Sequence, residues 1–183
     1  MIPIFVDEII KDCVDQVSTV LTAQLHDVDP NITGVHFMHG HPKEIQQWVT
    51  ELGKANSTKP QRFPAVWLFR DFKESRNPIN GIYAKHQLKL FIATRTEPTY
   101  NSDDRKEKSF KPILYPILVE LLNQFELSGK FMLMNADTQQ YDQIDHYFWG
   151  NAGLFESGDK NFFAEWIDCI EINIELQTYL KNC

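Results

Sequence analysis

The chain has 183 residues, of which 43% are hydrophobic and 23% are charged, ordinary values for a soluble globular protein. This length fits one domain, residues 1–183, with a single core. The formal net charge of -7 has the wrong sign for a protein that holds nucleic acid through a broad basic surface, so we expect no sequence-specific nucleic-acid binding.

The cysteines and the apolar runs indicate where the protein acts. Cys13, Cys169 and Cys183 are widely spaced and form no Cys-x-x-Cys pair, which is typical neither of a disulfide framework nor of a zinc site. No run approaches the ~18 apolar residues of a membrane-spanning helix, and no signal-peptide pattern is present. The sequence therefore predicts a cytoplasmic protein that does not bind membranes.

Three segments have the apolar spacing of amphipathic helices. Residues 6–25 place apolar side chains three and four apart, which is the period of one helical face. Residues 42–53 begin with proline and end with glycine, as short helices often do. Residues 112–127 have the strongest apolar pattern, with Pro112 suited to the first helical position.

The polar stretch between residues 96 and 109 is predicted to be a mobile link. It leads into the richest basic cluster of the chain, residues 105–111. Glu107 interrupts this cluster, and Asp103 and Asp104 precede it. We interpret it as a solvated approach to the third helix rather than as a phosphate site.

A long antiparallel hairpin dominates the predicted β-structure. Its arms, residues 63–72 and 83–96, are apolar, and the polar tip at 73–82 carries Asn-Pro and Asn-Gly turn pairs. The second arm alternates apolar and polar residues until Phe91 and Ala93, where the other face should be covered as well. Further strands are predicted at residues 34–38, 131–134, 142–149 and 166–176.

This order of elements predicts an α+β fold. Neighbouring strands joined by short turns favour a mainly antiparallel sheet, and long amphipathic helices need an apolar sheet face to cover. We therefore expect a mainly antiparallel sheet with a long β-hairpin, and two longer helices and one short helix packed on one face.

The sequence offers no stretch that carries a reaction. It lacks a Gly-x-Ser-x-Gly motif, a Gly-rich phosphate loop and a dinucleotide fingerprint. His36, His39 and His41 lie close together, but a strand points His36 and His39 to opposite faces. The acidic residues between Asp137 and Asp159 lack the spacing of a calcium loop. We expect no enzyme, metal or cofactor; a small metal-dependent hydrolase built around the histidines is the weaker alternative.

Polar strand faces suggest a contact surface, although plain solvation explains them about equally well. In the functional hypothesis, an acidic face of the last strand meets the basic hairpin of the next subunit, a heterologous contact that closes a ring. Reversing the charges of Lys85 and Lys89 should then weaken self-association without unfolding the monomer. The subunit-interface candidates are Arg70, Lys73, Arg76, Lys85, Gln87, Lys89, Glu171, Asn173 and Glu175.

This layout resembles the tail terminator, or tail completion, proteins of long-tailed phages and prophages. The segment from residue 41 to residue 62 departs from the smallest members of that family. The resemblance rests on the N-terminal amphipathic helix, the hairpin at 63–96, the helix at 112–127, and the closing strand at 166–176 preceded by Tyr147-Phe148-Trp149-Gly150 and Asn161-Phe162-Phe163-Ala164.

The resemblance implies a structural virion protein without catalytic residues. Such a subunit forms a homo-oligomeric ring, commonly hexameric, at the head-proximal end of the tail tube, where it stops tube growth and joins the head-tail connector. Its implied partners are further copies of the chain, tail tube proteins and neck proteins. It would act in the bacterial cytoplasm during assembly and then in the virion. The alternative is another neck or adaptor protein, or a general protein-interaction module.

Overall fold

The computed structural model describes residues 5–54, 62–70, 73–76, 83–132, 141–149 and 165–179. The predicted α+β class is confirmed. The helices are α1 (Val6–Val28), α2 (Pro42–Leu52), α3 (Ser102–Arg105) and α4 (Tyr115–Leu127), with a π-helical segment (Lys106–Leu114) joining α3 to α4. The strands are β1 (His36–Gly40), β2 (Ala65–Phe69), β3 (Lys73–Arg76), β4 (Tyr83–Arg95), β5 (Phe131–Met132), β6 (Tyr141–His146) and β7 (Ile167–Tyr179).

The seven strands form one sheet in the order β1-β2-β4-β7-β5. β3 continues the line of β2 along β4, and β6 lies along β7 on the same side as β5. β1 and β2 are parallel, with α2 between them in the chain, and every other pair is antiparallel. The sheet is therefore mainly antiparallel, as predicted, and its two central strands are β4 and β7.

The predicted hairpin is present as the pairing of β2 and β3 with β4. Residues 65–68 pair with 90–93, and residues 73–76 pair with 84–87. Between these pairings the first arm has four residues where the second has two, so the register changes by two. A change of two keeps each side chain on its original face of the sheet. The first arm pairs with β4 again at Lys73–Arg76, beyond its predicted end at residue 72.

Some predictions concern parts of the chain that the structure does not describe. They are the hairpin turn at 77–82, most of the loop at 54–62, residues 133–134 of a predicted strand, most of the acidic stretch at 137–159, the segment at 161–164 and Cys183.

One face of the sheet is covered by α1, the π-helical segment and α4. The apolar stripe of α1 is buried, with Ile10 and Val14 fully inaccessible. These side chains pack against alternate residues of β4, namely Leu88, Leu90 and Ile92. Burying one side chain of this size stabilises the fold by about 1.5–3 kcal/mol relative to leaving it exposed. This is the main core. The buried positions of α1 and β4 are the ones that the apolar spacing of the sequence predicts.

The opposite face of the sheet is covered at one end. There α2 packs through Ile45 and Val49 against the aromatic side chains of Trp67, Phe91 and Trp149. The ring centroids of Phe91 and Trp149 are 4.8 Å apart. The short helix therefore lies across the sheet from the long helices rather than beside them, because alternate residues of β2 and β4 are apolar on both faces. The second cover predicted at Phe91 is confirmed.

Residues 102–114 are helical, so the prediction of a mobile link as far as residue 109 is wrong. Asn101 caps α3, since its side chain accepts the N–H of Asp104 at 2.9 Å and the Asp104 carboxylate accepts the N–H of Asn101 at 3.4 Å. Pro112 lies inside the π-helical segment and not at a helix start. The N–H of Tyr115 donates to a carbonyl oxygen five residues earlier, which is the π-helical bond.

Candidate interaction surface

The half of the sheet that α2 leaves uncovered is a polar surface built by β3, β4, β7 and β6, which we call the open face. The strand pairings decide which side chains share it, because alternate residues point to the same side. Seven of the nine predicted interface residues lie on it. They are Lys73, Lys85, Gln87, Lys89, Glu171, Asn173 and Glu175.

The other two candidates do not add to this surface. Arg70 lies on the side of the long helices, where its Nη2 donates to Oδ2 of Asp7 in the first turn of α1 at 2.7 Å. The same carboxylate oxygen lies 3.6 Å from Nδ1 of His39. Arg70 therefore links the end of β2 to α1. Arg76 is the last residue of β3, and its side chain lies outside the described part of the chain.

Four charges of the open face form two ion pairs within the chain. Lys85 Nζ lies 3.1 Å from Glu175 Oε1, and Lys89 Nζ lies 2.8 Å from Glu171 Oε1. Each pair joins diagonal neighbours on β4 and β7. The sequence analysis assigned these opposite charges to two subunits, but β7 is the direct neighbour of β4 in one sheet. Their pairing therefore needs no second subunit, and whether this face also contacts one stays a prediction.

Glu171 is the centre of the open face. Its Oε1 accepts from Lys89 and from Asn173 Nδ2 at 3.2 Å, and its Oε2 lies 3.0 Å from Nε2 of His146 on β6. Burial opposes ionisation of this carboxyl, but hydrogen bonds from Lys89, His146 and Asn173 outweigh it and lower the pKa of Glu171. Glu171 is therefore ionised at neutral pH, with its donors drawn from three strands.

β6 is the strand at the edge of the open face. Its residues from Tyr141 to Asp145 are all exposed, including Ile144, which has 47% of its surface accessible. Tyr115 Oη donates to Asp145 Oδ2 at 2.6 Å, and this bond, together with burial, raises the pKa of Tyr115 to about 12. No other strand in the described residues pairs with the outer side of β6. β6 is therefore held by β7 and α4, and its outer edge has no strand partner among the described residues.

A buried ion pair fixes the chain near the end of β6. Arg105 Nη1 donates to Asp168 Oδ1 at 2.6 Å, and both side chains are essentially inaccessible. The interpretation of the basic cluster as solvated is therefore wrong for Arg105. The sequence did contain a signal for this pair. Asp168 is the one charged residue on the otherwise apolar face of the last strand, and a buried carboxylate needs a cationic partner. The remaining Arg105 hydrogen bonds reach Thr96 Oγ1 at 3.1 Å and the carbonyl oxygens of Glu97 and Tyr100 at 3.0 and 3.1 Å.

Phe148 lies beside this ion pair, where the chain leaves β6. Its φ of 53° is in the left-handed region, which is uncommon for a residue other than glycine. Its ring centroid is 3.3 Å from the guanidinium carbon of Arg105, and its N–H donates to Asp168 Oδ1 at 3.4 Å. The backbone N–H of the next residue, Trp149, donates to the carbonyl oxygen of Ile167 at 2.8 Å, and the Trp149 side chain packs in the aromatic core. The ion pair therefore fixes the backbone at Phe148, where the chain leaves β6 and the open face ends.

The histidines are used in different places. His36 and His39 point to opposite faces of β1, as strand alternation requires. His41 caps α2, because its ring Nδ1 accepts the backbone N–H of Lys43 at 3.2 Å. The backbone N–H of His41 donates to Glu44 Oε2 at 2.7 Å. Within the described ranges, no three His, Cys, Asp or Glu side chains are grouped so that they could hold a metal ion.

The two described cysteines and the Thr178 hydroxyl are poorly suited to act as nucleophiles. Burial raises the pKa of Cys13 to about 11 and the pKa of Cys169 well above its ordinary value, so neither is a thiolate at neutral pH. Glu74, His86 and Thr178 have the order of a hydrolase triad, with His86 Nδ1 3.3 Å from the carboxylate and Nε2 2.9 Å from the hydroxyl. Thr178 and His86 are fully buried, so no substrate reaches the hydroxyl.

None of the helices in the described part combines the length and the hydrophobicity needed to cross a membrane. The described part of the sheet presents a polar open face, with ion pairs between β4 and β7, that ends at the exposed strand β6. Comparison with known proteins finds no matching family model and no matching curated protein.

Proposed function

We propose that the protein is a structural subunit of the phage tail terminator type, which assembles into a ring of identical subunits at the head-proximal end of a phage or prophage tail. The observation that carries the proposal is β6, a strand whose residues from Tyr141 to Asp145 are exposed on both faces. Such a strand adds little to the core of its own subunit, whereas its unpaired edge suits contact with another molecule.

The central strands support a role in assembly. β4 and β7 pair along 13 residues and carry both the main core and the open face. A contact surface built on long paired strands keeps its geometry better than one built on loops. A closed ring requires a contact of fixed geometry, because a heterologous contact closes only when every subunit repeats the same rotation.

The chemistry of the described residues also favours contact over catalysis. The buried thiols and the inaccessible Thr178 hydroxyl are poor nucleophiles, and two lysines and two glutamates of the open face form ion pairs with one another. In the proposed role the protein works without a cofactor, in the bacterial cytoplasm during assembly and then in the virion. Its partners are further copies of itself, the tail tube and the neck.

Particle mass tests the proposal directly. Light scattering after gel filtration should give a multiple of the 21.4 kDa subunit, about 128 kDa for six copies, and negative-stain images should show rings. The purified rings should bind one end of a tail tube and stop its growth. Rings that bind the neck but not the tube would favour another adaptor. A monomer with stoichiometric zinc would contradict the proposal and favour the hydrolase alternative.

A further inference from the structure

We infer that neighbouring subunits join edge to edge, with β6 of one subunit beside β3 of the next, so that their sheets become continuous. This inference rests on the proposed ring and specifies the surfaces that meet in it. It differs from a contact between charged sheet faces, because the contact is made by strand edges at the two ends of the open face.

Both edges are available in the described structure. β3 pairs only with β4, because β1 lies beside β2 and does not reach β3. β6 pairs only with β7. An unpaired strand edge presents a row of backbone N–H and C=O groups that another strand can satisfy. One subunit therefore offers two different edges, which is what a head-to-tail contact requires.

Among the described residues of the open face, the charges without an ion pair lie at these two edges. Lys73 on β3 and Asp142 on β6 are exposed on the open face, and neither forms an ion pair with any residue in the described ranges. The lysines and glutamates between them are paired across β4 and β7. In a continuous sheet the open faces of two subunits form one surface. Lys73 on β3 of one subunit then lies beside Asp142 on β6 of the next. Opposite charges on adjacent strands favour this pairing.

Pairing of β6 with a second β6 is less favourable. β6 carries Asp142 and Asp145 and no lysine or arginine, so two copies would bring four carboxylates to one seam. The exposed side chain of Ile144 also lies on the open face, where an incoming strand would cover it. An edge that carries Lys73 therefore fits β6 better than another β6 does.

The two edges are offset along the strands. Through β4, β3 lies level with residues 175–178 of β7, whereas β6 lies beside residues 169–174. Lys73 lies level with Glu175 of β7 and Asp142 with Asn173, so placing Lys73 of one subunit opposite Asp142 of the next shifts successive subunits by two residues, or ~7 Å at the usual rise of a strand. Successive subunits would therefore step along the strand direction, and strands inclined to the ring axis accommodate such a step in a closed array.

Disulfide cross-linking tests the contact in the full chain. The variant carries Lys73→Cys and Asp142→Cys, with Cys183→Ser to remove a background thiol. Because each chain offers both edges, mild oxidation should give a ladder of covalent multimers on a non-reducing gel. The matched control joins Lys73→Cys with Glu126→Cys, an exposed position on α4, and should give no ladder.

The outcomes separate this inference from the proposed function. Rings that assemble normally but give no ladder would overturn the edge contact and leave the ring proposal intact. Strong dimer formation by the variant with Asp142→Cys alone would show pairing of β6 with β6 and would also overturn it. A wild-type chain that stays monomeric would contradict the ring itself.

Exchanging the charges of Lys73 and Asp142 provides a second test of the contact with little change in side-chain volume. Lys73→Glu or Asp142→Lys alone should raise the concentration at which rings assemble by several-fold, with a smaller effect at high salt because exposed charges are screened. The double variant should recover assembly, because the opposite charges meet again with their signs exchanged. A double variant that assembles worse than both single variants would contradict the contact.

Discussion

Nε2 of His86 on β4 lies 2.9 Å from Oγ1 of Thr178 on β7, and both side chains are fully buried. The carboxylate of Glu74 on β3 lies 3.3 Å from the other ring nitrogen. A neutral imidazole that carries its proton toward Glu74 leaves Nε2 to accept the Thr178 hydroxyl proton. This chain of polar groups joins the hairpin to the closing strand on the side of the long helices.

Thr178→Val should destabilise the protein by about 1–3 kcal/mol, because the similar shape keeps the packing while a buried ring nitrogen loses its partner. Urea unfolding followed by circular dichroism measures the change. Thr19→Val is the matched control: Thr19 is exposed on α1, where loss of its hydroxyl should change the free energy of unfolding by less than about 0.5 kcal/mol. Equal effects at the two positions would show that the Thr178 contact contributes nothing.

The Arg105–Asp168 ion pair predicts strong coupling between two distant positions. Asp168→Ala should cost about 3–5 kcal/mol, because it leaves the buried guanidinium without its counter-charge. Arg105→Lys should also destabilise, since an ammonium cannot reach Thr96 and two carbonyl oxygens together.

A double-mutant cycle distinguishes the ion pair from simple loss of packing. The double variant Arg105→Met with Asp168→Leu should be more stable than Asp168→Leu alone, because no buried charge remains unpaired. The free energies of unfolding of the single and double variants give the coupling energy. A coupling near zero would mean that the two side chains act independently.

The elements that the sequence predicts correctly are those whose own period determines their structure. The helical stripe of α1, the alternation from Leu88 to Ile92 and that from Ile170 to Leu176 each identify a buried face locally. Helix formation from residue 102 is different, because a cap at Asn101 and the tertiary contacts of Arg105 stabilise a segment with few apolar residues.

Strand order could not be predicted, and the candidate surface depends on it. Lys85 and Glu175 are separated by 90 positions in the chain, and nothing local shows that their strands are neighbours. The charge pattern therefore identified the open-face residues but not their partners. The exposed edge of β6 was also missed, because its alternation resembles that of a half-buried strand and exposure of both faces is a tertiary property.

The lowered pKa of Glu171 predicts a dependence of stability on pH. Its folded-state pKa is lower than the ordinary value of 4.5, so its contribution is present above that value and is lost as pH falls through the folded-state pKa. The difference in free energy of unfolding between wild type and Glu171→Gln should therefore be largest near neutral pH and shrink below about pH 4.5. Asn173→Ala, which removes one donor, should raise the pKa of Glu171 in an NMR titration. A constant difference from pH 7 to pH 3 would contradict this.

Charge reversal at Lys89 tests whether its ion pair stabilises the monomer. The sequence alone predicts that reversing both Lys85 and Lys89 to Glu weakens self-association without unfolding the subunit. In the structure this change places a second carboxylate beside Glu171, so we expect the monomer itself to lose about 1 kcal/mol of stability, with a smaller loss for the more exposed pair at Lys85. Adding Glu171→Lys to Lys89→Glu should restore part of the loss, as measured by urea unfolding at low salt. If Lys89→Glu changes only the oligomer mass and leaves the unfolding midpoint of the isolated subunit unchanged, then Lys89 acts between subunits and not within one.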